Sequence, residues 1–435
     1  MSDSPLAPVR PDDVAADAEA TKAAHFAWNL RVNVAVELWW GLGLALVSSS
    51  TIVPVFLSRM GASPQVIALV PGIGLVGLAL LQLPSAYFTT RLRHKTLPTI
   101  YVHLPVVAAW LGAALIAHHL AAARPELARV LFLVALGAAA LAGGVGIPLW
   151  ADYLNRQTPA HSRGRFFGWA FAAGSTAGLA GGFLAQRLLE RLAYPLGFAA
   201  CFYVAAAVMF LGLLPYLLVR EVVPEPARFP SPTAFVAHVR DVLTRRGNLR
   251  RLLIVRCLME AGMMSSAFYA VRALSVGGFS DAAAGTFTVL SAAAQAPAML
   301  LAGYVGDRYG FRTVLAAGGL CASAATGLAL FGATPGAFYA LFACVGCAVA
   351  CEVVGGINLV MALSPEDDKT VYQAAYNTLL VPVRVAYPLI AGWLAGSFAM
   401  TTVFAIALPL QLLGAAAALL VVREGAGPSP RPGEP

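Results

Sequence analysis

The stretch GYVGDRYGFRTVL, from Gly303 to Leu315, places one Asp and two Arg among three Gly between two long apolar runs. Charges are scarce elsewhere, because only 11% of the 435 residues are Asp, Glu, Lys or Arg, while 59% are apolar. This composition is typical of a membrane protein. We therefore expect the stretch to be a turn outside the bilayer, and the flanking runs to be membrane spans.

Twelve apolar runs are long enough to cross a bilayer. A spanning helix needs roughly 20 apolar residues, because it rises about 1.5 Å per residue through a hydrocarbon layer of about 30 Å. On this measure the sequence predicts spans at 33–58, 65–88, 97–117, 129–152, 166–188, 194–219, 252–275, 283–305, 312–333, 336–362, 371–396 and 399–422.

A polar interval divides these spans into two sets of six. It gives an N-terminal half at 31–219, a linker at 220–251 and a C-terminal half at 252–422. A basic amphipathic helix is expected within the linker, near Pro232 to Leu243, where it would lie along the membrane face.

The two halves resemble each other around the turns on one side of the membrane. Ala86 to Pro98 lines up with the opening stretch, with Lys95 at the place of Arg312, and Pro159 to Gly168 lines up with Pro365 to Ala374. Both halves start on the same side and contain an even number of spans, so an axis along the membrane normal would relate them. Parallel repeats of this kind occur in secondary transporters.

The net charge of +8 reflects an uneven distribution of Arg and Lys. These residues concentrate on the segments at one side of the predicted spans. This positive-inside bias predicts a protein of the cell (inner or plasma) membrane with both termini on the cytoplasmic side. Nucleic acid is therefore not an expected partner. Residues 1–30 lack the apolar core of a signal peptide, and residues 423–435 are rich in Pro and Gly. We expect both to be solvated tails, the second disordered.

Other functional classes leave no signature in the sequence. All six Cys fall within predicted spans, which argues against a disulfide framework. Cys344, Cys347 and Cys351 share a helical face, where packing is favoured over binding of a soft metal. Phosphate-binding, metalloprotease and hydrolase motifs are missing from the sequence. We therefore expect neither an enzyme nor ATP-driven transport, and no cofactor or metal.

The opening stretch resembles the signature loop of the major facilitator superfamily, G-x-x-x-D-R-x-G-R-R. The matching residues are Gly303, Asp307, Arg308, Gly310 and Arg312. Phe311 stands where a basic residue is common, and the run PAHSRGR, which contains Arg163, is similar to a second loop of the family. The resemblance covers roughly residues 30–422. It implies an all-α integral membrane protein with twelve transmembrane helices, in two six-helix halves related by pseudo-two-fold symmetry.

The resemblance also implies that the loop is a conformational latch that favours one access state. Gly303 and Gly310 permit close helix approach and unusual torsions, and Asp307 can accept from a helix N-terminus or pair with a nearby Arg. Arg163 is included among the latch residues. The alternative is a topological anchor, in which the two Arg of the loop hold it inside.

Charged residues inside spans are costly, so each needs a partner or a function. The spans contain Glu37, Arg256, Glu260, Glu352 and Arg384, and Asp152 lies at the end of the fourth. By resemblance, spans one, four, seven and ten line a central cavity.

Three of these carboxylates are candidates for proton coupling. Glu37 has no charged neighbour within one turn of its own span, so it is the first candidate, unless it contacts an Arg on the cytoplasmic side. Glu260 and Glu352 are the further candidates. Arg256 and Glu260 are four residues apart and are expected to pair within one helix. Glu352 and Arg384 are expected to pair with each other or to receive an anionic group of the substrate.

Aromatic and amide side chains suggest a binding site for a polar organic solute, including a sugar. The candidate substrate residues are Trp40, Asp152, Arg256, Asn358, Tyr376, Asn377 and Arg384. The alternative for many of the aromatic residues is an interfacial belt. Gly174, Gly178 and Gly182 form a stripe in the fifth span, which is expected to face the other half as a sliding surface.

These features together predict a secondary active transporter that moves a small polar organic solute by alternating access, with proton coupling. The expected partners are the solute, protons and the lipid bilayer, and the expected state is a monomer. The alternatives are an efflux antiporter for drugs or metabolites and a membrane sensor on the same fold that does not transport.

Overall fold

The structure, a computed structural model, describes residues 11–82, 85, 88, 92–159, 162–223, 233, 247–363 and 369–422. The regular structure of these residues is helical. The helices in chain order are α1 (Pro11–Leu46), α2 (Ile52–Arg59), α3 (Pro64–Leu80), α4 (Thr96–His119), α5 (Pro125–Gln157), α6 (Arg163–Arg191), α7 (Leu196–Leu211), α8 (Gly247–Met259), α9 (Gly262–Ser266), α10 (Tyr269–Gly277), α11 (Ala283–Tyr309), α12 (Phe311–Phe331), α13 (Pro335–Leu363), α14 (Lys369–Ser397) and α15 (Met400–Val421). A 3-10 turn, Leu214–Leu218, follows α7.

Eight helical segments of the described chain are long and apolar enough to span a membrane: α4, α5, α7 with its 3-10 turn, and α11 to α15. The segment from α8 to α10 bends by 42° and gives a ninth span if it crosses as one unit. α3 is a shorter apolar helix of 17 residues. The other two predicted spans coincide with α1 followed by α2, where the helix breaks after Leu46, and with α6, which is rich in Gly and Ala.

The first helix begins at Pro11, so residues 11–30 are not the separate solvated tail that the sequence predicted. Asn29 is buried and exchanges two hydrogen bonds with the backbone of Arg220, both at 3.0 Å. Trp28 Nε1 donates to the carbonyl of Leu218 at 2.7 Å. These contacts tie the start of the first helix to the end of the N-terminal half. The predicted linker helix near 232–243 and the tail from 423 lie outside the described residues, apart from Thr233.

Two helix pairs join the halves along their length: α3 with α14, and α6 with α11. The predicted glycine stripe on α6 divides between two neighbours. Gly174 and Gly178 face α1 within the same half, whereas Gly182 faces α11, where an added Cβ would lie 2.7 Å from Val289. The contact with the other half, which was predicted for the whole stripe, is therefore restricted to Gly182.

Further contacts of the described residues join the halves at one face of the molecule. We call the face with residues 92–95 and Gly310 the inner face, and the face with residues 60–63, 278–282 and 398–399 the outer face. Near the outer face, Arg59 Nη2 lies 2.7 Å from Asp281 Oδ1, and Thr51 Oγ1 lies 2.6 Å from Thr288 Oγ1. A side chain in place of Gly392 would also meet the backbone of α3. The halves are thus closed together at the outer face.

Candidate functional site

A cavity of about 900 Å³ lies between the halves, beneath the outer contacts. Its walls come from α1, α3, α4, α5, α6, α11 and α13, together with Tyr216 of the 3-10 turn. The serines of the break after α1 and Thr288 of α11 form its outer end. A cavity of this volume can enclose a small organic molecule.

Glu37 of α1 reaches the cavity wall. It is the one Asp, Glu, Lys or Arg among the described residues that line the cavity. Within the described chain its carboxylate makes no hydrogen bond or ion pair, so the contact with an inner-face Arg considered above is not seen. A Cβ at Gly174 would lie 3.7 Å from Glu37 Oε2, so the carboxylate lies beside α6.

Five aromatic side chains contribute to the remaining wall. They are Trp40, Trp110, Trp150, Phe171 and Tyr216. The wall also carries hydroxyl and amide side chains, at Ser48, Ser49, Ser50, Ser175, Thr288, Ser291 and Gln295. Some of these already have partners: Thr288 donates to the carbonyl of Ala284, and Ser291 to that of Phe342. The wall therefore combines aromatic surface with one carboxylate.

His103 of α4 is a lining residue that the sequence reasoning missed. Its Nδ1–H donates to the carbonyl of Thr99 at 2.6 Å, because a carbonyl can only accept. In the neutral ring this leaves Nε2 as an acceptor, and it lies on the side of Gly146 of α5. The ring also meets Trp40 edge to face at 5.1 Å between centroids. A titratable side chain within an apolar span was the signal that could have found it.

A second cluster of charges joins α8, the break after it, α13 and α14. Glu260 lies between two guanidinium groups, 2.9 Å from Arg256 Nη2 and 2.9 Å from Arg384 Nη2. Arg256 Nη2 also contacts Glu352. Arg256 and Glu260 thus pair as expected, but Glu352 contacts Arg256 rather than Arg384, because the Arg256 guanidinium lies between the two carboxylates. The four formal charges cancel.

Most of the other predicted substrate residues lie away from the cavity wall. Of the seven substrate candidates, Trp40 is the one that lines the cavity described here. Tyr376 is buried in the C-terminal half, Asn358 donates to the carbonyl of Val354 one turn earlier, and Asn377 is half-buried. Asp152 lies near the inner face instead, 2.7 Å from Lys95 Nζ and 3.4 Å from Arg156 Nη2.

The opening stretch forms the inner turn between α11 and α12. Gly310 has φ 88° and ψ 149°, a conformation that non-glycine residues rarely adopt. Gly306 packs directly under the Phe311 ring, which explains an apolar residue at this position of the loop. At Gly303 an added Cβ would meet nothing within 4 Å, so no close helix approach occurs there.

The charged residues of this turn differ in their described contacts. Asp307 is exposed and makes no hydrogen bond or ion pair with another described residue. Arg308 Nη1 donates to the Tyr304 hydroxyl at 3.0 Å, and Arg312 Nη1 lies 3.5 Å from the carbonyl of Val422. Arg163 begins α6, and its side chain lies outside the described part of the chain.

The corresponding turn of the N-terminal half is more strongly connected. Lys95 is fully buried beside Asp152, and Glu221 accepts from the Lys95 backbone N–H at 2.5 Å and from Thr96 Oγ1 at 2.8 Å. Burial lowers the pKa of Lys95, and the hydrogen bond and charge of Asp152 oppose that shift. The structural role of Glu221 was not predicted from the sequence.

A helical membrane protein in two halves, closed at one face over a central cavity that spans both, has the architecture of a small-molecule transporter. The model of the Major Facilitator Superfamily matches residues 38–277 and 275–435, and the chain belongs to this family. It is therefore a multi-pass membrane transporter and not an enzyme. No curated protein matches the chain.

Solved transporters of low sequence identity share the fold. The chain is similar to a D-xylose-proton symporter, with 16% identity, 92% of this chain and 98% of that chain covered, and a TM-score of 0.68. It is similar to the nucleoside transporter NupG, with 12% identity, 90% and 100% covered, and a TM-score of 0.68. It is also similar to a peptide transporter POT in complex with sulfate, with 14% identity, 91% and 96% covered, and a TM-score of 0.68. At these identities the likeness establishes the fold.

Proposed function

We propose that the chain is a proton-coupled secondary active transporter that moves a small organic solute by alternating access. The observation that carries the proposal is Glu37, a carboxylate without a described partner on the wall of a cavity between two halves. A carboxylate in such a place can take up and release a proton as access changes.

The proposed cycle uses the contacts between the halves. The outer face is closed by Arg59 with Asp281 and by Thr51 with Thr288, so the described arrangement corresponds to access from the inner face. Rocking of the halves along the α3–α14 and α6–α11 contacts would open the outer face and close the inner one. In this proposal the halves are residues 31–219 and 252–422, joined by the linker at 220–251.

The inner face is proposed to be cytoplasmic in a cell membrane, with both termini inside. Arg and Lys cluster on the segments of this face, in accordance with the positive-inside rule. A monomer suffices for this cycle, because the cavity lies between the two halves of one chain.

The nature of the cavity wall bears on the solute. The preference for a strongly polar solute rested on Asn358, Asn377 and the two arginines at 256 and 384, and none of these lines the cavity. The wall is mostly aromatic and aliphatic instead. It supports a solute with an apolar body and a polar group, and so favours the alternative of an efflux antiporter for drugs or metabolites.

A transport experiment tests the coupling. A thermal-shift screen of the purified full-length protein at pH 6 and pH 8, against nucleosides, sugars, dipeptides and amines, identifies a ligand for flux measurements in proteoliposomes. We expect Glu37→Gln to lose accumulation driven by a pH gradient but to retain exchange of labelled for unlabelled solute when the solute is saturating, because exchange needs no net proton movement.

The matched control is Glu126→Gln, since the Glu126 side chain is 91% exposed near the outer face and far from the cavity. This variant should transport like the unmodified protein. Gradient-driven accumulation that survives in Glu37→Gln would eliminate Glu37 as the coupling group.

A further inference from the structure

The charge of the cavity wall selects among solute classes. Glu37 is the one formally charged residue among the described lining residues, and it has no described counter-ion. The arginines that could have attracted an anion, Arg256 and Arg384, are bound to Glu260 and Glu352 in a cluster of zero net charge. With Glu37 ionised, the cavity therefore attracts a cation and repels an anion.

The aromatic residues strengthen this selection. Trp40, Trp110 and Trp150 line the cavity together with Phe171 and Tyr216. The face of an aromatic ring carries negative charge density and attracts organic cations, and tryptophan does so most strongly. An aromatic wall around one carboxylate is thus suited to an organic ammonium group attached to an apolar body.

Several hydroxyl groups of the wall already have partners within the protein. Thr288 and Thr51 hydrogen-bond to each other, Thr288 also reaches the carbonyl of Ala284, and Ser291 is bound to the carbonyl of Phe342. Ser48 and Ser50 lie 3.2 Å apart and share a hydrogen bond. A sugar would have to replace several of these bonds or depend on Ser49, Ser175 and Gln295, whereas an ammonium group needs only the carboxylate and the rings.

We infer that the cavity binds a monovalent organic cation with an apolar body, and that this cation and a proton compete for the Glu37 carboxylate. The inference rests on the proposed function, because it assigns the solute class of the same site. One carboxylate holds either the proton or the cation. Transport is therefore a one-for-one exchange of cation for proton, and no net charge crosses the membrane.

The groups around Glu37 are consistent with its carboxylate being the site for which the cation and the proton compete. α6 presents Gly174 to it, and the 3-10 turn supplies Tyr216, whose ring meets Tyr153 of α5 edge to face at 5.3 Å. His103 of α4 is the other titratable lining residue, and its Nδ1–H is held by Thr99. A protonated His103 would repel a cation, so protonation of either His103 or Glu37 lowers the affinity for the cation.

Binding of benzyltrimethylammonium to the purified protein provides the test, followed through the fluorescence of the lining tryptophans. Its charge is permanent, so any pH dependence comes from the protein. We expect it to bind at pH 8 at least tenfold more tightly than benzyl alcohol, benzoate or D-xylose. Its affinity should fall by about tenfold per pH unit as Glu37 becomes protonated, with about one proton released for each cation bound.

Variants assign the effect to the carboxylate and the rings. Glu37→Gln should weaken binding of the cation and abolish proton release. Glu37→Asp should retain the pH dependence of binding. Glu126→Gln should change neither the binding nor the proton release. Trp40→Phe should retain more affinity than Trp40→Leu, because it keeps an aromatic face. A variant is compared only if its thermal unfolding in detergent matches that of the unmodified protein, and Glu37→Asp provides the result if Glu37→Gln does not fold.

The possible outcomes separate this inference from the proposed function. Tighter binding of benzoate, benzyl alcohol or D-xylose than of the cation overturns the cation assignment, and so does unchanged cation affinity in Glu37→Gln. Either result leaves the proposed function intact if a pH gradient still drives accumulation of another solute through Glu37. Cation uptake that responds to an imposed membrane potential without a pH gradient overturns the electroneutral exchange.

Discussion

The inner turns of the two halves occupy equivalent places in the repeat but are stabilised in different ways. In the N-terminal half, Lys95 is buried against Asp152, and Glu221 binds the start of α4. In the C-terminal half, Arg312, which lines up with Lys95, approaches a backbone carbonyl at 3.5 Å, and Asp307 is exposed. The first turn is thus part of the folded core of its half. The second leaves its acidic residue, Asp307, exposed.

Among the substitutions that test this comparison, removal of the Asp152 carboxylate should have the largest effect, on the stability of the protein. Asp152→Ala leaves the fully buried Lys95 side chain without its nearest counter-ion, and Asp152 itself is about a third exposed, with 32% of its side chain accessible. We expect the free energy of unfolding to fall by about 3 kcal/mol, which is the lower end of the range for breaking a buried ion pair. It should appear as a large fall in the apparent Tm of the protein in detergent.

The double variant Lys95→Met with Asp152→Leu is the control for this effect. It removes both charges and should recover much of the lost stability, because the cost arises from burying the Lys95 charge without Asp152. Equal instability of the single and double variants would show that the ion pair is not the cause.

The backbone of the second turn should give the next largest effect. Gly310 has φ 88° and ψ 149°, where a side chain costs about 1–3 kcal/mol. Gly310→Ala should therefore lower the apparent Tm by less than Asp152→Ala does. Gly336→Ala is a suitable control, because an added Cβ there meets nothing within 4 Å. Equal effects of the two substitutions would show that the Gly310 conformation is not required.

The sequence predicted features that depend on local spacing better than features that depend on packing between helices. Arg256 and Glu260 are four residues apart, so their pairing follows from helical geometry alone. The partner of Glu352 depends on the rotation of α13 relative to α8, which no local pattern encodes. The positions of the apolar helices followed from their length, because the bilayer sets that length.

The cavity wall was the least predictable part of the molecule. Candidate residues were chosen by polarity, whereas the wall is formed by whichever faces of α1, α4 and α5 turn towards the space between the halves. Trp110 and His103 therefore escaped notice, and Asn358 was included although its amide is used within its own helix. A helix of mixed small and aromatic residues does not reveal its inner face from one sequence, since the surrounding lipid is also apolar.

The latch hypothesis concerns Asp307. α6 and α11 pack along each other, so closure of the inner face would bring Asp307 towards the start of α6, where the positive charge of Arg163 and the positive end of the helix dipole favour an anion. Asp307→Asn should leave the unfolding temperature nearly unchanged, because its carboxylate has no described partner here. It should shift the access equilibrium towards the inner face by about 1 kcal/mol, or about fivefold.

Access can be measured by the rate at which an impermeant maleimide modifies Ser175→Cys, on the cavity wall, in a chain whose six native Cys are replaced by Ala. The reagent is applied from the inner side of the vesicles. Faster modification in the Asp307→Asn variant is the expected result. An unchanged rate together with unchanged transport would leave the turn as a topological anchor.

The smallest expected effect comes from the outer face, where Arg59 and Asp281 form a pair at the surface. Arg59→Ala removes a contact that the halves make only when the outer face is closed, so it should favour outward access by about 0.5 kcal/mol, or about twofold. This shift is opposite in sign to that of Asp307→Asn. In a molecule that rocks between two states, the two substitutions combined should therefore give a modification rate at Ser175→Cys between those of the single variants. Independent local effects would leave the rate of the combined variant equal to that of Asp307→Asn alone, because the outer pair would then have no influence on access from the inner side.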